Sequence, residues 1–218
     1  MSLQRRAILL ACTAALAAAS ATAQTAEWPA KTLRIVVPYP PGGSSDIIAR
    51  SISQALSESL KQSVIVENKP GANGNLGADF VAKAEPDGYT MLLCDVGALA
   101  ISPSVYTKLS FDPSKDLRGV TMLAYSPHLL VVHPSVPVNN LKELIAYSKK
   151  NELNFAVTAT GSAPHLAGVA LERASGARWQ YIPYKGGVTA IQDTVAGQTQ
   201  VLMLSLIHIS EPTRPERI

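Results

Sequence analysis

A chain of 218 residues, 47% hydrophobic and 16% charged, can bury a core and reads as globular, with room for one large or two small domains. Lysine and arginine number 19 against 16 aspartates and glutamates, and Arg5 and Arg6 fall in a segment expected to be removed. The mature chain is therefore near neutral, which argues against nucleic acid as a partner. Cys12 and Cys94 are the two cysteines and no cluster has metal spacing, so no disulfide, metal or cofactor is expected.

The N-terminus has a basic start at Arg5 and Arg6, an apolar stretch from Ala7 to Ala19, and Ala21-Thr22-Ala23 before Gln24. That is the pattern of an export signal, here residues 1–23, cleaved after Ala23. The stretch is shorter than the roughly 20 residues of a membrane-spanning helix. The mature protein is expected outside the cytoplasm, in the periplasm. Arg5-Arg6 leaves twin-arginine export open beside the general route, and Leu9-Leu10-Ala11-Cys12 faintly resembles a lipoprotein box.

From Thr32, strand-like and helical patterns alternate. "TLRIVVPY" precedes "SDIIARSISQALSESL", whose Ile48, Ile52, Ala55, Leu56 and Leu60 share one helix face. "SVIVEN" is a strand, and "NLGADFVAKA" a helix turning Leu76, Phe80, Val81 and Ala84 inward. Pro86-Asp87-Gly88 then turns the chain into the strand "YTMLLCD". This β-α-β-α-β run predicts parallel strands with crossover helices, an α/β class. Residues 96–138 have a turn-rich texture with two strand-like runs, "VTMLAY" and "HLLVVH", and read as a crossing between two lobes. Helix "NNLKELIAYSKK", strand "NFAVTAT", helix "PHLAGVALERA", strand "WQYIPY", helix "VTAIQDTVAG" and strand "TQVLML" follow. The expected division is lobe one over 24–125 and lobe two over 126–203.

Open α/β sheets bind ligands beyond the carboxyl ends of their strands, which selects three loops. Pro40-Pro41-Gly42-Gly43-Ser44-Ser45-Asp46 joins a strand to a helix start. Glycines admit close approach of backbone N–H groups, and the helix N-terminus favours an anion. The same residues also suit an ordinary helix start, with Ser44 or Ser45 as cap and Asp46 in the first turn. Neither a dinucleotide fingerprint nor a phosphate loop is present. Thr158-Ala159-Thr160-Gly161-Ser162 and Tyr184-Lys185-Gly186-Gly187 repeat the chemistry in the second lobe, and Lys185 offers electrostatic steering. Hydroxyl and amide donors of this kind orient a carboxylate.

"VPYPPGGSSDIIAR", "VENKPGANGNLGADFVAKAEPDGYTMLL", "GSAPHLAG" and "IPYKGG" together resemble the extracytoplasmic solute receptors of tripartite tricarboxylate transporters, the Bug family, in order from about Trp28 to Met203. The resemblance implies a two-lobe type II periplasmic-binding-protein fold that closes on a small organic carboxylate and delivers it to a membrane permease. The carboxylate classes it leaves open are di- and tricarboxylates, aromatic acids and acidic amino acids. It assigns ligand contact to Tyr39, Pro41, Gly42, Gly43, Ser44 and Ser45 in lobe one and to Thr160, Gly161, Ser162, Tyr184, Gly186 and Gly187 in lobe two. Thr189 and Gln200 depart from the family pattern and are expected outside the ligand shell.

The final segment has a different character. "LSLIHISEPTR" resembles the translation of a sequencing-library transposon adapter, so residues 204–218 are expected to be a foreign tail and the fold incomplete at its C-terminus. Two other functions compete with this one. An exported hydrolase lacks any G-x-S-x-G elbow or H-E-x-x-H helix, and His165 beside Ser162 is the one pairing that suits it. A receptor presenting its ligand to a sensor kinase would need the same closed form. Cys94 reads as a small core residue, and no catalytic residues are expected.

Overall fold

The computed structural model describes residues 27–205, so the expected signal segment and residues 206–218 of the expected tail lie outside the described residues. The chain divides into a unit of Met1–Lys31, of which residues 27–31 are described, with a cis Trp28–Pro29 peptide bond, and a unit of Thr32–Ile218. All the helices and strands below belong to the second unit.

Strand β1, Leu33–Val37, lies between β2, Val64–Asn68, and β3, Thr90–Leu92, and is parallel to both. Leu33, Ile35, Val36 and Val37 are buried, as expected of a central parallel strand covered on both faces. Helix α1, Ser44–Leu60, crosses from β1 to β2 and lays Ala49, Ile52 and Leu56 on Ile35, Val37, Val64 and Val66. Ala55, expected on that face, is exposed, and Ala49, earlier in the helix, takes a buried place.

A 3-10 turn, Ala72–Gly74, leads into α2, Asn75–Ala82. This helix presents the opposite face from the one its apolar residues predict. Leu76 is 60% exposed and Phe80 37%, whereas Asn75, Gly77 and Ala78 are buried. The reason is close approach: a Cβ on Gly77 would stand 2.6 Å from Pro38 Cβ and 3.0 Å from the Lys69 carbonyl oxygen. Only small residues fit there. Phe80 is instead covered by the Lys69 ammonium, 4.2 Å from its ring centre.

After β3 come a π-helical turn, Gly97–Ile101, and two short helices, α3, Ser102–Val105, and α4, Pro113–Asp116. Phe111 closes a small core with Ala78 and Ala98. The run "VTMLAY", expected as a strand, has no regular structure, and Val120, Met122 and Tyr125 are 88%, 78% and 84% exposed. The second run forms β4, His128–Val132.

The remaining chain keeps its predicted alternation: α5, Leu141–Ser148; β5, Asn154–Val157; α6, Ala163–Ser175; β6, Gln180–Pro183; α7, Gly187–Val195; β7, Val201–Ser205. The sheet order is β4-β7-β5-β6, with β6 and β7 parallel to β5 and β4 antiparallel to β7. One face packs Phe155 and Val157 with Leu144, Leu153, Trp179 and Val201; the other packs Ala156 with Ala190, Leu202 and Leu204. β7 continues through Leu204 and Ser205, opposite Leu129 and His128, and so enters the segment expected to be foreign by two residues. The architecture is α/β with two sheets, one drawn from residues 33–92 and the other from 128–205. Among the described residues no helix is long and apolar enough to cross a membrane.

Candidate ligand-binding cleft

The loops after β1, β5 and β6 all leave the carboxyl ends of parallel strands and enter helices. In the first, Gly42 adopts a left-handed φ of 81° and Gly43 is the N-cap of α1, so neither Ser44 nor Ser45 caps the helix as the simpler reading expects. The buried Asp46 carboxylate holds this turn from inside. It accepts hydrogen bonds from Gly42 N at 2.9 Å, Arg50 Nε at 3.0 Å and Asn68 Nδ2 at 3.0 Å. Burial alone would raise its pKa, but the bonds from Arg50, Gly42 and Asn68 together outweigh it and hold the carboxyl below its ordinary value.

The second loop is committed to its own shape and to the first sheet's elements. Ser162 is buried and its hydroxyl donates to Ala159 O at 2.7 Å. Gly161, at a φ of 78°, donates its N–H to His165 Nδ1 at 3.0 Å and accepts Asn73 Nδ2 at 3.1 Å on its carbonyl oxygen. The Tyr106 hydroxyl donates to Thr160 O at 3.3 Å. His165 thus spends Nδ1 on the Gly161 amide while the Ser162 hydroxyl turns to Ala159, and the serine–histidine pairing weighed for a hydrolase is not made.

In the third loop the Tyr184 hydroxyl donates to Asp193 Oδ2 at 2.8 Å and the ring packs against the Ala156 cluster. Gly186, at a φ of 129°, is the N-cap of α7 and gives its N–H to Thr158 O at 3.2 Å. A Cβ here would stand 3.2 Å from Pro40 Cγ and Cδ, so the first and third loops nearly touch.

A cavity of about 90 Å³ lies between these loops. The first sheet's side supplies Tyr39, Pro40, Gly43, Ser44, Ser45, Asn73 and Asp95, and the second sheet's side supplies Thr158, Lys185, Gly186, Gly187, Val188 and Thr189. Of the twelve residues assigned to ligand contact, Tyr39, Gly43, Ser44, Ser45, Gly186 and Gly187 line this space. Pro41, Gly42, Thr160, Gly161, Ser162 and Tyr184 are not among the lining residues, and the bonds above engage the Gly42 amide, the Thr160 carbonyl, Gly161, Ser162 and Tyr184 within the protein. Thr189, expected outside the shell, is in the lining, while Gln200 is occupied with Asn154 N and Gly197 O.

Asn73 and Asp95 also line the cavity and are not among the residues expected there from the sequence. Asp95 follows β3 at its carboxyl end, so the rule that selected the other three loops selects it as well. Its Oδ1 accepts the Tyr39 hydroxyl at 2.6 Å and the Gly97 N–H at 2.7 Å. Burial, then the Asp95 carboxylate, raises the Tyr39 phenol well above its ordinary range and keeps it a donor. Burial and Asp95 likewise push the neighbouring Cys94 thiol up to about 12, which leaves it unreactive at neutral pH.

Two helix N-termini, of α1 and α7, therefore meet at one cavity from different sheets. First-turn N–H groups lack intrahelical partners and carry a partial positive charge, and hydroxyls of Ser44, Ser45, Thr158 and Thr189 stand beside them with Lys185. This suits an anion with several acceptor oxygens. Among the described residues no group of histidine, cysteine, aspartate and glutamate is placed to hold a metal ion.

Comparison with known proteins agrees in sequence and fold. The family described as tripartite tricarboxylate transporter family receptor matches residues 48–213. A UPF0065 protein of Bordetella bronchiseptica is 36% identical over 204 residues, which cover 94% of this chain and 60% of that protein. Rpa4515 of R. palustris, solved with adipate, superposes with a TM-score of 0.80 at 34% identity, covering 83% of this chain and 61% of that one. MatC from Rhodopseudomonas palustris, with bound malate, gives 0.78 at 30% identity, covering 84% and 63%. The chain spans about 50–60% of the length of the curated relatives it matches.

Proposed function

The chain belongs to the tripartite tricarboxylate transporter receptor family, a family of receptors and not of enzymes, and on that premise we propose that it captures a small organic carboxylate outside the cytoplasm and delivers it to a membrane permease. The observation that carries this reading is the convergence of the α1 and α7 N-termini on one cavity, from two sheets, with four hydroxyls and Lys185 around them. Backbone amides at Ser45, Gly187 and Val188 would hold the carboxylate, with the Ser45 and Thr158 hydroxyls donating to its oxygens. The relatives solved with adipate and malate support a carboxylate as the ligand class.

Within this reading the two sheets are the cores of two lobes that divide near residue 126. Thr160, Gly161, Ser162 and Tyr184 keep the loops in shape while the lining residues touch the acid. A ligand contacting both helix N-termini favours the closed arrangement, because only there are both sets of donors in reach. Export through the N-terminal signal places the mature protein in the periplasm.

Calorimetry of the full-length mature protein against a panel of organic acids tests the proposal. At least one acid should bind, and Gly43→Ala should weaken it about tenfold or more by placing a methyl group where the carboxylate approaches the amides. Gly43 has a φ of −78°, which alanine adopts without strain, so lost binding reports the site and not the fold. Unchanged affinity in Gly43→Ala would remove this site assignment.

A further inference from the structure

Asp95 is the one acidic side chain in the lining of a cavity otherwise built to hold an anion. Although exposed, its carboxylate is held in place. Both of its hydrogen bonds, from the Tyr39 hydroxyl and the Gly97 N–H, end on Oδ1 and fix the plane of the carboxylate. Tyr39 is carried by the end of β1 and Gly97 is buried at the start of the π-helical turn, so two separate segments set the orientation. Oδ2 keeps its acceptor capacity. On the other side of the same cavity stand Lys185 and the N-terminus of α7.

Asp95 lines the same cavity as the starts of α1 and α7, so a small ligand seated on them lies within the field of this carboxylate. A plain diacid seated on the helix N-termini would bring its second carboxylate towards Asp95, and two like charges at short range disfavour binding. A ligand whose second group is a protonated amine meets the opposite situation, since its N–H donors replace the water that Asp95 loses.

We infer that Asp95 is a specificity residue that selects a carboxylate bearing a protonated amine, so that the cognate ligand is an amino-carboxylate and not a plain di- or tricarboxylate. The inference rests on the carboxylate-receptor reading of the cleft and narrows it.

Matched pairs separate the two. Succinate against 4-aminobutanoate and adipate against 6-aminohexanoate exchange one carboxylate for an ammonium at similar length; glutarate against glutamate adds the ammonium alone. Titrated calorimetrically into the full-length mature protein, the amine member of at least one pair should bind about tenfold or more tighter than its diacid. Asp95→Asn, which keeps an acceptor for Tyr39 and Gly97, should abolish or reverse that order. Diacids binding more tightly in every pair, or an amine preference that Asp95→Asn leaves intact, overturns the inference while the carboxylate reading stands. If Asp95→Asn fails to fold, the order in the unsubstituted protein still decides. If no acid of either kind binds, the carboxylate reading itself fails, and this inference with it.

Discussion

His165 shows how one ring nitrogen can hold a loop. Its Nδ1 accepts the Gly161 N–H, and burial lowers the imidazole pKa from its ordinary value of 6.5. A depressed histidine pKa means that the folded state prefers the neutral ring, so the stabilisation is complete above about pH 6.5 and fades as the pH falls through the lower folded value. Protonation converts the acceptor into a donor facing a donor. The protein should therefore lose thermal stability between about pH 7 and pH 5, and His165→Asn should lose less over the same interval. Equal pH dependence in the two proteins would show that the Gly161 bond does not couple to titration. Gly43 and Gly186, expected at the ligand from the sequence, line the cavity. Ser162 and Tyr184, expected there as well, have hydroxyls that are engaged by Ala159 O and Asp193. Nothing along the chain distinguishes a hydroxyl facing a cleft from one facing its own backbone.

Helix α2 makes the same point for an element. A 3.6-residue period correctly predicts a helix near 75–84 but turns its large apolar residues inward, whereas the fold buries Gly77 and Ala78 and exposes Leu76. Hydrophobicity locates a face only when the neighbouring surface has room for side chains. Here Pro38 and the Lys69 carbonyl come too close for anything larger than glycine. Gly77→Ala should then destabilise the protein by about 1–3 kcal/mol through overpacking, while Leu76→Ala, at an exposed position, should stay within about 0.5 kcal/mol. Chemical denaturation of the two variants checks the contrast; a larger loss in Leu76→Ala would restore the predicted face. The segment 120–125 illustrates the other failure. Its alternating apolar residues read as a strand, yet among the described residues no strand pairs with it, and a ladder needs a partner before alternation has meaning.

At the scale of the molecule, the alternation of strands and helices was legible because each β-α unit carries its own periodicity and turn residues. The position of the cleft was legible because parallel strands send their carboxyl-end loops to one side. What required coordinates was the pairing of loops across the two sheets: Asn73 with Gly161, Tyr106 with Thr160 and Pro40 against Gly186 join residues far apart in sequence. Those contacts bring α1 and α7 to the same space, and the carboxylate reading depends on that convergence. The most direct measurement is a crystal structure of the full-length mature protein with the tightest-binding acid from the panel. The carboxylate should lie within hydrogen-bond distance, about 2.7–3.2 Å, of backbone amides at the starts of both α1 and α7. An acid bound elsewhere, or touching one helix start and not the other, would contradict the account.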